Sequence, residues 1–504
     1  MTVPASRKIR VAIIGAGFGG IAAAVNLRKR TAADFVIFEQ AAGIGGTWWH
    51  NRYPGCEVDV HSHAYSFSFA KYDWPRSHAT QPELLRYACD VVDRFGLMAH
   101  LRLNTVVTRV RWLDSEACYE LTTASCDTTQ TERFDVVISA VGLLSVPRIP
   151  DWPGLADFRG LALHTAQWRT EHDLTGRRVA VVGTGSTAAQ LVPALAGKAA
   201  RLYVFQREPG WIEPKLIKTF STAERWVYRS VPGAQRTHRA WLFYKAMRRG
   251  KAFDASSRQQ AQRRASCLAF IRSAIEDESV RGHVTPGYPW GCKRVVLAAG
   301  FYEALNQQNV ELVPHAVTAL TPTGIVDASG AERAIDVLVL GTGFQPTNFL
   351  ATLDVSGVAG VSLRDAWRSR AAAFLGITVP DFPNFFILYG PNTNGAGSII
   401  AQLERQAEFA ARAVSRLERG RWRFVDTDRA AQRRYVAWID RQLAAHASAM
   451  NSGCTNYYHD ERGANITQWP ASHLKYLLVV RLLGRRGLRP AVHPVDRAAS
   501  RRRD

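Results

Sequence analysis

The sequence predicts an α/β protein with two Rossmann-like dinucleotide-binding domains, the second of which carries a helical inset. A glycine-rich turn, Gly15-x-Gly17-x-x-Gly20, follows a short apolar strand and opens a helix, and the same arrangement returns at Gly183-x-Gly185-x-x-Ala188. The first glycine of such a turn permits its tight curvature, and the second lets the backbone approach a pyrophosphate. The length of the chain agrees with more than one domain, because 504 residues exceed the roughly 250 to 300 residues that a single hydrophobic core can hold.

The first unit begins with RKIRVAIIGAGFGG and continues into an Ala-rich helix. Its third glycine, Gly20, lets the helix pack on the strand, and the N-terminus of the helix offers N–H groups to phosphates. The next strand, DFVIFEQ, ends in Glu39, where a carboxylate accepts hydrogen bonds from a ribose hydroxyl. A carboxylate there also repels a 2′-phosphate, so we expect FAD at this site.

The second unit, GRRVAVVGTGSTAAQLVPAL, places four candidate cofactor-binding residues at the start of its helix: Gly183, Gly185, Ser186 and Thr187. Its next strand ends at Arg207, as far along the chain from Gly183 as Glu39 is from Gly15. A planar guanidinium binds a 2′-phosphate, so we expect NADPH here. Glu208 leaves NADH open as an alternative, because a second carboxylate could accept a ribose hydroxyl.

Two further apolar strands end in glycine, FDVVISAVG and AIDVLVLGTGF. Such strands lead the chain between domains in flavoproteins that bind two dinucleotides, so we expect boundaries near residues 145 and 335. The FAD-binding domain then takes residues 1–145, and the NADPH-binding domain takes 146–334. Residues 335–504 complete the FAD-binding domain and add a C-terminal substrate-side segment.

Within the second domain, the sequence shows few strand patterns between about residues 211 and 290. The segments AERWVYRS, HRAWLFYKAMRRG and QQAQRRASCLAFIRSAI have the pattern of amphipathic helices and predict the inset. In the last domain, LGITVPDFPNFFILYGPNTNGAG is expected to turn close to the flavin, with Asn392 in the turn.

Composition narrows the class of protein. The net charge of +21 is spread over the chain with no recognisable nucleic-acid module beside it, so we expect no nucleic-acid partner. Seven cysteines without a C-x-x-C pair indicate neither a disulfide framework nor a zinc site, and therefore a reducing compartment. With no apolar run of about 18 residues, we expect a cytoplasmic protein without a membrane span and without a bound metal.

The stretch FRGLALHTAQW lies between the two units and carries a fingerprint: Phe158, Gly160, His164 and Trp168. This pattern resembles that of the type I Baeyer–Villiger monooxygenases, which are class B flavoprotein monooxygenases. Arg169 stands where that family has Pro or Asp, so the sequence departs from the pattern in the turn after Trp168. Class B relatives that act on nitrogen or sulfur usually carry Tyr in place of Trp168.

The resemblance covers nearly the whole chain. In the family, the segment similar to GIGGTWWHNRYPGCEVDVHSHAYSFSF lines FAD, which implies contacts from Gly45, Gly46, Thr47 and Trp48. The same segment implies that Asp59 reaches the active site. Further along, the resemblance implies that Lys293 contacts the nucleotide 2′-phosphate and that Arg294 faces the flavin, while SGCTNYYHDERGANITQWP resembles a substrate-side loop.

The resemblance implies an enzyme in which NADPH reduces FAD and the reduced flavin reacts with O2 to give a 4a-peroxyflavin. The peroxide attacks a ketone carbonyl, and the product is an ester or lactone. Arg294 is the expected fixed cation beside the developing negative charge, and Asp59 is expected to orient it. We expect His164 to be a conformational residue at the domain interface and not a general base.

Three alternatives stay open at this stage. The first is a class B flavin monooxygenase that oxidises sulfur or nitrogen in a small molecule. The second is an FAD and NADPH reductase without oxygenation, although such enzymes usually carry a redox dithiol. The third is a basic nucleic-acid-binding or scaffold protein with a vestigial nucleotide fold. Neither the identity of the substrate nor the oligomeric state follows from the motifs.

Overall fold

The computed structural model describes residues 8–491 apart from 127, 170, 396, 421, 447, 453, 455 and 485. The N-terminal part contains strands β1 (Arg10–Ile14), β2 (Asp34–Phe38), β3 (Leu101–Arg102), β4 (Val106–Leu113), β5 (Cys118–Ser125), β6 (Thr128–Phe134) and β7 (Val136–Ser139). Its helices are α1 (Phe18–Arg30), α2 (Thr47–His50) and α3 (Gln81–Arg94).

The middle part contains strands β8 (Leu161–His164), β9 (Arg178–Val182), β10 (Arg201–Phe205), β11 (Ile212–Pro214), β12 (Val296–Ala298), β13 (Val310–Val313), β14 (Val317–Thr321), β15 (Gly324–Asp327), β16 (Glu332–Ala334) and β17 (Val337–Leu340). Its helices are α4 (Ser186–Ala196), α5 (Thr222–Ser230), α6 (Ala234–Arg249), α7 (Arg258–Ala274), α8 (Glu278–Val284) and α9 (Phe301–Leu305).

The C-terminal part contains strands β18 (Asp354–Ser356), β19 (Phe385–Ile387), β20 (Phe424–Thr427) and β21 (Leu488–Ala491). Its helices are α10 (Leu363–Ala366), α11 (Ile399–Glu418), α12 (Arg429–His446) and α13 (His473–Leu483).

Two parallel sheets organise the chain, which confirms the predicted α/β class. The first sheet has the order β19-β7-β1-β2-β3, and the second has the order β13-β10-β9-β17-β8. Strands β7 and β17 are buried at every residue, as expected for inner strands covered on both faces. Helix α1 packs on the first sheet, and α11 packs on α1, so the C-terminal part completes the core of the N-terminal part.

The chain returns to the first sheet later than the boundary near residue 335 predicts. Strand β17 pairs with β8 and β9 in the second sheet, so Val337–Leu340 belongs with the middle part and not with the last part. A buried apolar strand followed by Gly has the same pattern in either sheet, and only its pairing decides which sheet it joins.

Helices α5, α6 and α7 coincide with the three segments predicted as helices, and all of them lie between strands of the second sheet. The segment also contains a strand that the sequence did not indicate, since Ile212–Pro214 pairs in parallel with Val296–Ala298. Three-residue strands give too short a pattern for the alternation of apolar and polar residues to be recognised.

Candidate active site

The first glycine turn is held between β1 and α1 by contacts that only glycine permits. Gly15 has φ +103°, and a Cβ on it would lie 2.7 Å from the carbonyl oxygen of Ala140. The buried Glu39 carboxylate accepts a hydrogen bond from the Ala16 N–H at 2.7 Å and another from the Ala41 N–H at 2.9 Å. Glu39 is therefore fixed at the end of β2, beside the turn.

The segment that includes Gly45, Gly46, Thr47 and Trp48 lies directly against this turn. Gly46 has φ +57°, and a Cβ on it would come within 2.9 Å of the Gly17 Cα. Thr47 opens helix α2, and the buried Trp48 donates its Nε1 proton to the Tyr65 hydroxyl at 3.2 Å. The two glycine-rich stretches thus pack backbone against backbone in front of α1.

The second glycine turn repeats the geometry of the first at the start of α4. Gly183 has φ +118°, which favours glycine, and α4 begins with Ser186 and Thr187 in its first turn. Apart from the adjacent backbone, no atom of the described residues lies within 4 Å of the place where a Cβ on Gly185 would stand, so the backbone there is open to a ligand. The helix N-terminus offers its free N–H groups to an anion at this point.

Two basic side chains border the second turn. Arg207 is exposed at the end of β10 and has no ion pair with any residue that the structure describes. Lys293 forms an ion pair with Glu208, and its Nζ lies 5.2 Å from the centre of the Tyr288 ring. Glu208, which the sequence suggested as an acceptor for a ribose hydroxyl, is therefore already paired with Lys293.

Asp59 and Arg294 form an ion pair although they lie 235 positions apart in the chain. Asp59 supplies the strongest field at Arg294 and holds the pKa of that guanidinium well above its ordinary value. Burial opposes ionisation of Asp59, but the Arg294 charge outweighs it and lowers the pKa of the Asp59 carboxyl. The Arg294 side chain keeps 44% of its surface accessible although protein atoms surround it closely, as expected for a side chain that lines a cleft.

Asp59 reaches this cleft because the loop before it is bound to α4. Tyr53 donates its hydroxyl proton to Gln190 Oε1 at 3.0 Å, and Gln190 Nε2 donates to the Glu57 carbonyl at 2.9 Å. A Cβ on Gly55 would come within 2.5 Å of the Gln190 carbonyl oxygen. The N-terminal part is thereby joined to the helix that starts at the second glycine turn.

The fingerprint residues Phe158 and Gly160 are explained by packing. Phe158 is buried among apolar residues of the second sheet, including Val182 and Leu340. A Cβ on Gly160 would overlap both the Phe158 ring and the carbonyl oxygen of Asp336. Trp168 is 5% exposed, whereas the following Arg169 is exposed and lies 3.9 Å from Glu171.

His164 contacts the segment through which the chain leaves the second sheet. Its Nδ1 accepts from the Ala166 N–H at 3.1 Å, so its Nε2 carries the proton and donates to the Gly343 carbonyl at 2.9 Å. Burial lowers the pKa of His164 and keeps the ring neutral. Gly343 O also accepts from the Arg148 N–H at 2.9 Å, so His164 lies where the outgoing and returning segments pair.

The predicted flavin-side turn at residues 390–394 is bound to the C-terminal segment. Asn392 is buried with φ +56°, and its Nδ2 donates to the Asn465 carbonyl at 2.8 Å. Asn394 donates its N–H to Thr467 O at 2.9 Å and accepts from the Trp469 N–H at 2.6 Å. The segment that the sequence assigned to the substrate side is therefore continuous with this turn.

Tyrosines that the sequence reasoning missed surround the Asp59–Arg294 pair. Tyr457 and Tyr458 raise the pKa of Arg294 further, after the larger effect of Asp59. Tyr389 donates to Asn394 Oδ1 at 2.9 Å, and burial raises the pKa of its hydroxyl. They lie in YYHDE and FFILYG, where an aromatic residue has the same pattern whether it lines a core or a cleft.

A buried lysine beside the site was also missed. Lys215 is 1% exposed, and its Nζ lies 2.6 Å from Glu57 Oε1. Burial lowers the pKa of Lys215, and the Glu57 carboxylate opposes that shift. Arg76 lies 2.8 Å from the other oxygen of Glu57. The sequence did offer one signal for this lysine, namely two carboxylates, Glu57 and Asp59, two positions apart on one loop. Each of them pairs with a cation from a different part of the chain.

The expectation that the cysteines form no disulfide is wrong. Cys292 and Cys454 are bonded to each other, and the Asn456 amide donates to the Cys292 carbonyl at 3.0 Å. Because Cys292 directly precedes Lys293, the C-terminal segment is attached to the segment that carries Arg294. The two cysteines are 162 positions apart, so spacing along the chain could not pair them.

The arrangement defines an α/β enzyme with two dinucleotide-binding turns and a guanidinium, Arg294, that is paired with the Asp59 carboxylate. The sequence profile of the proteins described as "Flavin-binding monooxygenase-like" matches residues 8–224. A Baeyer–Villiger monooxygenase of Streptomyces coelicolor is 37% identical over 93% of this chain and 90% of its own length.

The solved structures agree with this match over nearly the whole chain. A closed crystal structure of cyclohexanone monooxygenase has a TM-score of 0.85 and 29% identity, over 96% of this chain and 99% of its own. A structure described as OTEMO in complex with FAD and NADP has a TM-score of 0.84 and 27% identity, over 96% and 100% of the two chains. The chain therefore belongs to the Baeyer–Villiger monooxygenases, within the flavin-binding monooxygenases. Among the described residues, no helix combines the length and the apolar character that a membrane crossing needs.

Proposed function

We propose that this chain binds FAD at the first glycine turn and NADPH at the second, and uses O2 to insert one oxygen beside a ketone carbonyl. The product is an ester or a lactone. When bound, the flavin and the nicotinamide supply the electron transfer and oxygen activation that amino-acid side chains cannot supply. Every other requirement of the reaction falls to residues of this chain.

The residues present fit the two cofactors. The close approach of Gly17 and Gly46, which leaves no room for a side chain, and the fixed Glu39 carboxylate suit a pyrophosphate and a ribose without a 2′-phosphate. The open Gly185 and the exposed Arg207, which has no ion pair among the described residues, suit a pyrophosphate and a 2′-phosphate. Lys293 adds a second cation, and its pairing with Glu208 keeps that carboxylate away from the phosphate.

The observation that carries the proposal is the Asp59–Arg294 ion pair, which lies where segments from all three parts of the chain meet. Ester formation requires negative charge to develop on oxygen, and a cation in a partly enclosed cleft stabilises that charge more than water does. Arg294 keeps its proton throughout because Asp59 raises its pKa. Asp59 orients the guanidinium and does not itself need to exchange a proton.

A ketone substrate is supported by the cyclohexanone monooxygenase structure, whose name states its substrate. The tyrosines Tyr65, Tyr389 and Tyr457 add aromatic walls with polar edges to the cleft, which suits a small molecule that has an apolar frame and one carbonyl. The cytoplasmic location expected from the sequence stays a prediction.

The proposal is tested with the Arg294→Ala variant of the purified flavoprotein. We expect ester formation from a panel of cyclic and linear ketones to fall by at least about 100-fold, as removal of a donor from a charge-stabilising site does. Some NADPH oxidation should remain. Products are identified by mass spectrometry as a gain of one oxygen with the fragmentation of an ester.

The matched control is Arg368→Ala, which removes an exposed arginine that also pairs with an aspartate, Asp365. It should leave ester formation unchanged. Undiminished ester formation in Arg294→Ala would overturn the role of that residue. A wild-type enzyme that oxidises a thioether but no ketone would replace the proposed reaction with sulfur oxidation.

A further inference from the structure

Helices α6 and α13 each expose a row of large apolar side chains. On α6 the exposed fractions are 50% for Trp241, 51% for Tyr244 and 42% for Met247. On α13 they are 57% for Leu474, 50% for Leu478 and 64% for Leu482. We call these six residues the α6–α13 face. Single exposed apolar residues are common on protein surfaces, but rows of them on neighbouring helices mark an interaction site.

The rows lie opposite the sides by which each helix is attached to the protein. On α13, Tyr476 and Val480 are buried, and the leucines at spacing i, i+4 and i+8 point the other way. No residue of α6 is fully buried, and its attachment comes from residues such as His238 and Arg239. Neither row is therefore needed to hold its helix in place.

The two rows adjoin each other. Phe243 on α6 stacks on His473 at the start of α13, with ring centres 5.0 Å apart. Tyr244 follows Phe243 directly, Met247 is one turn further on, and Leu474 follows His473. The Phe243–His473 contact therefore brings the two helices together, and the α6–α13 face combines residues of the middle part and the C-terminal part of the chain.

The surface is bordered by cations without partners. Neither α6 nor α13 contains an acidic residue. Within the described part of the chain, four exposed cations on these helices have no ion pair: Arg236, Lys245, Arg248 and Arg481. Lys245 lies 4.3 Å from the centre of the Trp241 ring, and Arg248 lies 6.0 Å from that of Tyr244, so charge and aromatic surface alternate.

We propose that the α6–α13 face binds peripherally to an anionic lipid bilayer, a partner beyond the small molecules of the proposed reaction. Tryptophan, tyrosine and leucine enter the boundary between headgroups and acyl chains, while lysine and arginine bind anionic headgroups. A second copy of the chain would place the same unpaired cations against each other. Nucleic acid would engage the cations and rings but leave the leucine row of α13 in water.

The test is flotation of the purified, flavin-loaded full-length protein with vesicles of phosphatidylcholine alone or mixed with an equal part of phosphatidylglycerol. Binding should occur to the anionic vesicles at low salt and weaken by about 0.5 M salt, where charges are screened beyond a few Å. The double variant Leu478→Glu, Leu482→Glu should bind at least roughly tenfold less, because it places acidic side chains in the boundary region.

The matched control is Met98→Glu, Val361→Glu, which adds the same charge at apolar residues that are 54% and 41% exposed elsewhere. A second variant, Lys245→Gln, Arg248→Gln, removes cations and leaves the leucine row intact, and it should also reduce binding to anionic vesicles. Flavin absorbance and NADPH oxidation should stay at the wild-type level in every variant, which separates lost binding from lost folding.

Several outcomes would overturn the proposal. One is a wild-type protein that does not float with anionic vesicles at low salt. Another is a loss of binding in the Met98→Glu, Val361→Glu control as large as that in the leucine variant. Equal binding to neutral and anionic vesicles would show that the cations do not contribute to binding. A change of oligomeric state in the leucine variant, without lipid, would assign the face to a second copy of the chain.

Discussion

Arg207 is the residue on which the choice of coenzyme depends. It is exposed at the end of β10 and, among the described residues, has no ion pair that would compete with a phosphate. Arg207→Ala should raise the KM for NADPH by about 10-fold or more, the usual effect of losing a charge-assisted hydrogen bond. The KM for NADH should hardly change.

Steady-state kinetics with both coenzymes provide the measurement, and Arg177→Ala, at another exposed arginine of the same part of the chain, is the control. If the two KM values rose together in Arg207→Ala, the residue would not distinguish a 2′-phosphate from a hydroxyl.

Gly160 is constrained by close packing and not by charge. Because a Cβ would overlap Asp336 O and the Phe158 ring, Gly160→Ala should lower the free energy of unfolding by about 1–3 kcal/mol. Gly197→Ala is the control, since the Gly197 backbone has φ −82° and no atom near a Cβ. Thermal unfolding should show a lower Tm for Gly160→Ala alone, and an equal Tm in both variants would contradict the packing argument.

Individual candidate site residues can be proposed from the sequence where a local pattern identifies them. Glu39 and Arg207 follow from strand ends, and Asp59 and Arg294 from family segments. The role of Lys215 could not be predicted, because a lysine directly after the three-residue strand β11 has no local pattern that indicates burial. Its partner Glu57 lies 158 positions away, and only folding brings the two together.

At the scale of elements, the Cys292–Cys454 disulfide attaches the C-terminal segment to the segment that carries Arg294. Cys454→Ser should lower the free energy of unfolding by about 2–5 kcal/mol, because the bond closes a long loop in the unfolded chain. Ketone oxygenation should also weaken as the segment with Tyr457 loosens. Thermal unfolding and ester yield, with and without a reductant, measure both effects.

Cys89→Ser, at an exposed free cysteine, is the control and should behave as the wild type does. In the presence of the reductant, wild type and Cys454→Ser should converge. Peptide mapping that found both thiols free in the oxidised wild-type protein would contradict the bond.

The strands and helices of the two glycine-turn units and the helices of the inset could be predicted, because amphipathic segments such as α5 and fully apolar ones such as β17 carry clear patterns. The exceptions were pairings between distant segments. Strand β17 was assigned to the wrong part of the chain, and the contact between residues 390–394 and 465–469 had no local pattern.

At the scale of the whole molecule, histidines bind the inset to the N-terminal part. His61, His63 and His78 lie on the N-terminal loops, and the Nδ1 atoms of His63 and His238 are 2.9 Å apart. Burial lowers the pKa of His61 to about 3 and those of His63 and His78 to about 4, with further lowering by neighbouring cations.

Because these histidines bind protons more readily when unfolded, the folded state should lose stability as the pH falls from about 6.5 towards 4. The Tm of the wild type should drop over that range. His61→Gln, His63→Gln should show a smaller drop, and His283→Gln, at an exposed histidine, should follow the wild type. An equal drop in Tm in all three proteins would show that protonation of other groups causes the loss of stability.

The two passages between the sheets run side by side, since Arg148 donates its N–H to Gly343 and Gln345 donates its N–H to Val146, each at 2.9 Å. The middle part is thus an insertion whose two ends lie side by side, and ion pairs such as Asp59–Arg294 and Glu57–Lys215 join it again to the N-terminal part. A chimera that exchanges this insertion for that of a homologue therefore needs only two adjacent junctions and leaves the strands of the first sheet uncut, provided that the partners of Arg294 and Cys292 are kept.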